Sequence, residues 1–242
     1  MNFDKLKNII KYSNNIIFFG GAGISTESSI PDFRSSNGLY SKKYKIQYSP
    51  EEMISHSFFM NYTNEFYEFY KKNMIFKDAN PNLAHKALAK LEKINKLKAI
   101  ITQNIDGLHQ LAGSKNVLEL HGSIHRNYCM KCGAFFSLDY ILNSKTNIPY
   151  CNKCNSIVKP DVVLYEEALN ENIISKSINY IENTDTLIIG GTSLVVYPAA
   201  GMLRYFKGKN LILINKSSTP YDNIATLIIN DGIGKVLSEC VK

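Results

Sequence analysis

The chain has 242 residues, 45% hydrophobic and 20% charged, with 28 Lys and Arg against 21 Asp and Glu for a formal charge of +7. Such a length buries a sizeable core and holds one generous domain or a domain with an insertion, and the composition excludes disordered and fibrous classes. Lysines are scattered in pairs such as Lys42-Lys43 and Lys71-Lys72, which describes a solvated surface, so nucleic acid is not expected as a partner.

The first residues, MNFDKLKNIIKYSNNIIFFGG, set lysines ahead of the apolar run Ile16 to Phe19. That run is far short of a signal-peptide core and leads into a glycine turn, so no export signal is expected and the cytoplasm is the expected location. Ile16 to Gly20 reads as a buried strand. In the turn after it, Gly21-Ala22-Gly23 supplies the first two glycines of a G-x-G-x-x-G fingerprint, and Thr26 holds the place of the third. Glycines at 20, 21 and 23 let backbone N–H groups approach a diphosphate, and Ser25 or Thr26 can cap a following helix. A glycine cluster alone suits a plain helix-starting turn as well.

Residues 36–80, rich in Tyr and Phe, read as a helical insert, and Pro81 to Lys93 as a helix. Strand-like runs follow at Ala99 to Thr102, before QNIDGLHQ, and at Val117 to Leu120, before His121-Gly122. His121 stands where a β/α active site opens, with a glycine giving access, whereas His56, His85 and His109 read as satisfied core or surface groups.

Cys129-x2-Cys132 and Cys151-x2-Cys154 lie 18 residues apart. Two such knuckles complete a tetrahedral thiolate shell, so one structural zinc is expected over residues 124–158, and His121 and His125 upstream are not needed as ligands. Two disulfides are the alternative, but nothing points to an oxidising compartment. Cys240 reads as a lone thiol.

Further runs at Val162 to Tyr165, Thr186 to Ile189, Leu211 to Asn215 and Ala225 to Ile229 alternate with helical patterns at Asn170 to Glu182, Pro198 to Phe206 and Ile233 to Cys240. The uncharged stretch Thr186 to Leu203 is interrupted by Gly190-Gly191, Thr192-Ser193 and Tyr197-Pro198, so no membrane span is expected. The alternation predicts an α/β fold: a doubly wound, mostly parallel Rossmann-like sheet with a smaller subdomain made of a zinc ribbon and the helical insert. Loops after Gly20, Thr102, Leu120, Ile189 and Ile214 should then face one crevice.

Together the segments GAGIS (21–25), IPDFR (30–34), TQNID (102–106), HG (121–122), the four cysteines, KPDVVLYEE (159–167), GTSLVVYPA (191–199) and LINK (213–216) resemble the sirtuin family, bacterial type, of NAD-dependent protein lysine deacylases. The resemblance covers nearly the whole chain and implies a single catalytic domain over 1–242. It implies that NAD is bound in a non-redox manner, with Gly21, Ala22, Thr26, Asp32, Phe33 and Arg34 on the diphosphate side and Gln103 at the ribose. Asn104, Ile105 and Asp106 would surround the nicotinamide, and Thr192, Ser193, Asn215 and Lys216 would hold the adenosine half.

The same resemblance implies that the acyl oxygen displaces nicotinamide at the ribose C1′ to form an imidate, with neutral His121 as general base on a ribose hydroxyl. Acetyl-lysine proteins would be the partners, adding as a strand along Lys159 to Tyr165 with Val162 and Val163 walling the lysine tunnel. Relatives that take acidic acyl groups carry Tyr-x-x-Arg in the insert, and the nearest counterpart here, Tyr70-Lys71-Lys72-Asn73, lacks the arginine. Uncharged acyl groups are therefore expected. Gly20 and Ser29 depart from the family, which has Thr and Gly there, and Ser29 matters only if that position needs positive φ. Rival readings are an NAD-dependent oxidoreductase, an ADP-ribosyl transferase on the same scaffold, and a nucleic-acid-binding zinc ribbon.

Overall fold

The structure is a computed structural model describing residues 2–33, 35, 38–41 and 48–241, with residue 41 described by its backbone alone. Arg34 and the pair Lys42-Lys43 lie outside the described residues. The chain opens with α1 (Asn2–Tyr12), which buries Leu6 and Ile10 on one face. It then enters β1 (Ile16–Gly20), whose five residues are all buried, as a strand covered on both faces requires.

Three helices form the insert: α2 (Pro50–Met53), α3 (His56–Asn61) and α4 (Thr63–Asn73). Ser49 and Ser55 start the first two by accepting the N–H of Glu52 and of Phe58. The chain returns through α5 (Leu83–Lys93), capped by Asn82, to β2 (Leu97–Thr102), α6 (Leu108–Leu111) and β3 (Val117–Glu119). The ribbon follows as β4 (Gly122–Cys129), β5 (Phe135–Ser137), α7 (Leu138–Leu142) and β6 (Val158–Val162). Last come α8 (Glu171–Glu182), β7 (Thr186–Gly190), β8 (Asn210–Ile214), β9 (Leu227–Ile229) and α9 (Ile233–Cys240).

Six strands form one parallel sheet in the order β3-β2-β1-β7-β8-β9, and β5-β4-β6 form a separate three-stranded sheet. Its strand order reverses between β1 and β7, paired in register from Ile16–Thr186 to Gly20–Gly190. A crevice is expected outside the carboxyl ends of the strands at that switch point. Buried residues of α1, α5 and α9 cover one face of the large sheet, and α8 with the 200–205 segment covers the other. A third cluster joins Phe66, Tyr67 and Tyr70 of the insert to Ile124, Phe136 and Val158 of the ribbon. Insert and ribbon therefore share one small core. Among the described residues no helix is long and apolar enough to cross a membrane.

Three sequence expectations are corrected. The run Val162 to Tyr165 is not a strand of the parallel sheet: the strand lies four residues earlier and pairs antiparallel with β4, Val162 meeting Gly122. A β-branched apolar run suits any buried strand, and Pro160 within β6 is admissible because β6 is an edge. Pro198 to Phe206 forms a 3₁₀ helix over Ala200–Tyr205 and not an α-helix. The third correction concerns His85 and His109, which are buried with rings 4.8 Å apart. They are not satisfied: His85 Nε2 and both nitrogens of His109 lack a hydrogen-bond partner.

Candidate active site

Where β1 ends, Gly21 is extended and the chain makes two 3₁₀ turns, Ala22–Ile24 and Thr26–Ser28. No α-helix follows, and neither Ser25 nor Thr26 caps one. The Thr26 hydroxyl donates to the Gly23 carbonyl at 3.0 Å. The N–H groups of Gly21 and Gly23 are spent on the Gly190 and Gly191 carbonyls, at 3.3 and 2.7 Å. The glycines serve close approach instead. A Cβ on Gly23 would lie 2.7 Å from the Gly191 Cα, and one on Gly21 would lie 2.7 Å from the Thr192 Cβ. Ser29, which ends the second turn, has φ 64° and so occupies the left-handed region.

Ser25 reaches across the cleft. Its hydroxyl donates to Asp106 Oδ2 at 2.6 Å and accepts from Asn104 Nδ2 at 3.0 Å. The other carboxylate oxygen of Asp106 accepts the Leu108 N–H at 2.9 Å, the helix-starting contact expected of an aspartate before a glycine. His125, set aside as a metal ligand, donates from Nε2 to the Asp106 carbonyl at 3.1 Å.

Gln103 is the hub of the crevice. Its carbonyl meets His121 Nδ1 at 2.9 Å and its Oε1 accepts the Thr192 hydroxyl at 3.1 Å, while its Nε2 is buried without a partner. A carbonyl only accepts, so Nδ1 carries the hydrogen and Nε2 of the neutral ring keeps a lone pair. Burial lowers the His121 pKa below its ordinary value, opposed in part by the Gln103 bond. The ring is thus held neutral with a defined tautomer. Gly122 does not serve access: with φ 76°, a Cβ there would lie 1.9 Å from the Asp161 carbonyl oxygen, so glycine lets β4 close on β6.

The carboxyl ends of the strands enclose a cavity of about 990 Å³. Ala22, Thr26, Asp32 and Phe33 line it on the glycine-turn side, and Gln103, Asn104, Ile105, Asp106 and His121 form its floor. Thr192, Ser193, Asn215 and Lys216 line the far side, with Val162 and Val163 beside the floor. Gly21 stands behind the wall, buried against Thr192 and Gln103, and Arg34 lies outside the described residues. Asn215 clamps the backbone of Thr192, accepting its N–H at 3.1 Å and donating to its carbonyl at 2.9 Å. The N–H groups of Val163, Leu164 and Tyr165 are bonded to His121, Glu167 and Ile54, and the Leu164 and Tyr165 carbonyls accept the N–H groups of Glu167 and His56.

Sequence reasoning missed contacts that several wall residues make. Tyr40 and Tyr165 join hydroxyl to hydroxyl at 2.9 Å, tying the segment after Phe33 to the one after Val162. Glu27 accepts the Gly234 N–H at 3.0 Å and caps α9 from a distance of 207 residues. No local signal marks either contact.

In the ribbon the four Sγ atoms lie within 4.8 Å of one another. Cys129 and Cys154 sulfurs are 3.4 Å apart and those of Cys132 and Cys151 3.7 Å, far beyond a disulfide bond of about 2.05 Å and near the roughly 3.8 Å edge of a tetrahedron with 2.3 Å metal–sulfur bonds. Backbone N–H groups of Lys131 and Cys132 point at the Cys129 sulfur, both at 3.4 Å, and that of Lys153 points at Cys151 at 3.4 Å. These donors favour thiolates, and the set fits one zinc with no open position. The crevice has room for a dinucleotide, at about 990 Å³, and Gln103 Nε2 is a donor left without a partner on its wall.

A Rossmann-like sheet with a deep crevice at its switch point and a zinc ribbon beside it defines a class, the nucleotide-dependent enzymes with a structural metal. The sequence model of the Sir2 family matches residues 21–198. A Clostridium acetobutylicum protein named NAD-dependent protein deacetylase is 66% identical over 98% of this chain and 97% of its own. A Clostridium tetani protein of the same name is 65% identical over 98% and 96%. Among solved structures, a histidine-to-alanine Sir2 variant with a deacetylated p53 peptide and 3′-O-acetyl ADP-ribose matches at TM-score 0.91 and 36% identity, over 99% of this chain and 97% of that one. This chain belongs to the Sir2 family.

Proposed function

We propose that the whole chain acts as one catalytic domain, an NAD-dependent protein lysine deacetylase that transfers the acyl group of a modified lysine to ADP-ribose and releases nicotinamide. One observation carries the role of each part: the Nε2 lone pair of a neutral, fixed His121 lies in the same cavity as the glycine turn and the Asn104–Ser25–Asp106 network. The relatives' names and the deacetylated peptide and 3′-O-acetyl ADP-ribose of the matched structure support the reaction.

When bound, NAD supplies the ADP-ribose that accepts the acyl group. Ala22, Thr26, Asp32, Phe33 and Arg34 would hold its diphosphate side, backed by Gly21, and Gln103 would meet the ribose. Asn104, Ile105 and Asp106 bound the nicotinamide end; Thr192, Ser193 and Lys216 hold the adenosine, with Asn215 shaping that wall through Thr192. His121 Nε2 would take a proton from a sugar hydroxyl, and its Nδ1 bond to Gln103 would stabilise the imidazolium that results. Val162 and Val163 pass the lysine stem toward this point. Zinc on Cys129, Cys132, Cys151 and Cys154 crosslinks the ribbon and takes no part in the chemistry.

The substrates are proteins bearing acetyl-lysine. The enzyme works in the cytoplasm, a reading supported by four thiols arranged for a metal and not paired with one another. Incubation with an acetyl-lysine peptide should release nicotinamide and free lysine only when NAD+ is present. Appearance of reduced cofactor absorbance would point instead to hydride transfer, and label transferred from NAD to protein acceptors would point to ADP-ribosylation.

A further inference from the structure

Resting on that reading, the turn on the cofactor side of the cavity is held from behind by a residue outside the cavity. The carbonyls of Gly21, Ala22 and Ser25 accept the N–H groups of Ile24, Ser25 and Ser28, at 3.1, 3.0 and 2.9 Å. The Gly23 carbonyl accepts the Thr26 hydroxyl. All of these are satisfied by the turn itself. The Ile24 carbonyl is different: it accepts Nδ2 of Asn82 at 2.7 Å, across 58 residues.

Asn82 uses both ends of its carboxamide. Nδ2 also donates to the Ser28 hydroxyl at 3.0 Å, so both 3₁₀ turns hang on one amide. Oδ1 accepts the Ala84 and His85 N–H groups at 2.9 and 3.4 Å and so starts α5. The Asn82 backbone N–H donates to His85 Nδ1 at 3.3 Å, which closes the cap from the other side. Only Nδ2 can donate to a carbonyl and only Oδ1 can accept from an N–H, so the orientation of the amide is settled by its partners.

The turn carries groups that face the cavity. The Ile24 side chain is fully buried with Ala84, Ala87 and Leu88 of α5, and on its other side a Cβ on Gly191 would lie 2.3 Å from the Ile24 nitrogen. The turn is thus clamped between α5 and the end of β7. Next to Ile24 stands Ser25, whose hydroxyl donates to Asp106, and Ala22, Ser25 and Thr26 line the cavity. Among the described residues neither Asn82 nor any residue of α5 lines it. We propose that Asn82 is a positioning residue for cofactor binding: its amide fixes the glycine turn against the start of α5 and so sets where Ala22, Ser25 and Thr26 meet NAD, without touching it. A helix cap needs only Oδ1, whereas positioning needs Nδ2. Aspartate separates the two, being an equally good cap with no donor.

The test uses the full-length zinc-loaded enzyme and its Asn82→Asp variant. Loss of two hydrogen bonds predicts that Kd for NAD+, read by titration calorimetry, and KM for NAD+ both rise roughly 10- to 30-fold, while KM for an acetyl-lysine peptide at saturating NAD+ stays within about twofold. A merely structural role would lower the melting temperature and the active fraction and leave both KM values unmoved. On the wild type, hydrogen exchange followed by mass spectrometry should slow at residues 82–86 when NAD+ is added, because a ligand on the turn stabilises the cap through the same amide. Amides of a first helical turn exchange by local opening, so this protection reports the link and not overall stability, and it is measurable even if the variant folds poorly. Unchanged NAD+ affinity in Asn82→Asp, a parallel rise in both KM values, or no protection of 82–86 overturns the assignment while leaving the deacetylase reading intact. A wild type that neither binds NAD+ nor turns over the acetyl peptide removes both.

Discussion

His121 donates its Nδ1 hydrogen to the Gln103 carbonyl oxygen across 2.9 Å, between residues 18 apart in the chain. That bond fixes the ring's orientation and tautomer, and burial keeps it uncharged. In the proposed mechanism the active form is the neutral one, so activity should be lost as pH falls through a pKa lying below the ordinary histidine value of about 6.5. The acid limb of kcat/KM against pH should have its midpoint below that value, and a midpoint above it contradicts the assigned environment.

Ser25 and Asp106 form the shortest contact across the crevice floor, at 2.6 Å. Ser25→Ala leaves one carboxylate oxygen without its donor and frees Asn104. A hydrogen bond to a charged group contributes about 1.5–3 kcal/mol, so kcat/KM should fall by roughly 10- to 100-fold. Unaltered kinetics would remove this network from the site.

Ser29 occupies the left-handed region at φ 64°. A side chain costs roughly 1 kcal/mol there, and glycine relieves that strain at a smaller entropic cost. Ser29→Gly should raise stability in urea by about 0.5–1 kcal/mol; a loss would show that the serine side chain makes an offsetting contact.

The pair His85 and His109 sets an acid dependence of stability. Burial lowers His85 to about 4 and His109 to about 3. Below about pH 6.5 the unfolded chain binds protons that the folded rings refuse, so stability is full above that pH and declines as pH falls toward those two values. Urea unfolding at about pH 7 and about pH 5 should show the loss, and His109→Leu should make it shallower. Equal slopes in wild type and variant contradict this account.

Removal of zinc should spread beyond the ribbon, because Cys129, Cys151 and Val158 share a core with Phe59, Phe66 and Tyr67 of the insert. Structural zinc sites contribute on the order of 10–16 kcal/mol of apparent binding energy. Cys132→Ala should therefore lose its one metal and melt at a clearly lower temperature, seen by metal analysis and circular dichroism. Full thermal stability without metal would exclude a structural role.

How much of this was legible in sequence follows the range of each interaction. The helix over Ile233 to Cys240 and the start of α8 at Asn170 carry their own periodicity and cap, and the structure has them there. The four sulfurs converge because knuckle spacing is a local constraint. The strand near Val162 slipped by four residues because an apolar run does not say which sheet will cover it. The use of Gly21, Gly23 and Gly122 was misread for a similar reason: their near neighbours, Gly191, Thr192 and Asp161, come from segments far along the chain. The Ser25–Asp106 bond spans 81 residues and has no signature along the chain.

The most direct test of the central claim is NAD-dependent turnover of an acetyl-lysine peptide by the wild-type protein and by His121→Ala, with zinc content and secondary structure measured on both. Loss of a positioned general base predicts a fall of roughly 10²- to 10⁴-fold in a variant that still folds and keeps its metal. A folded, zinc-loaded His121→Ala protein that deacetylates at the wild-type rate would show that the proton leaves by another route.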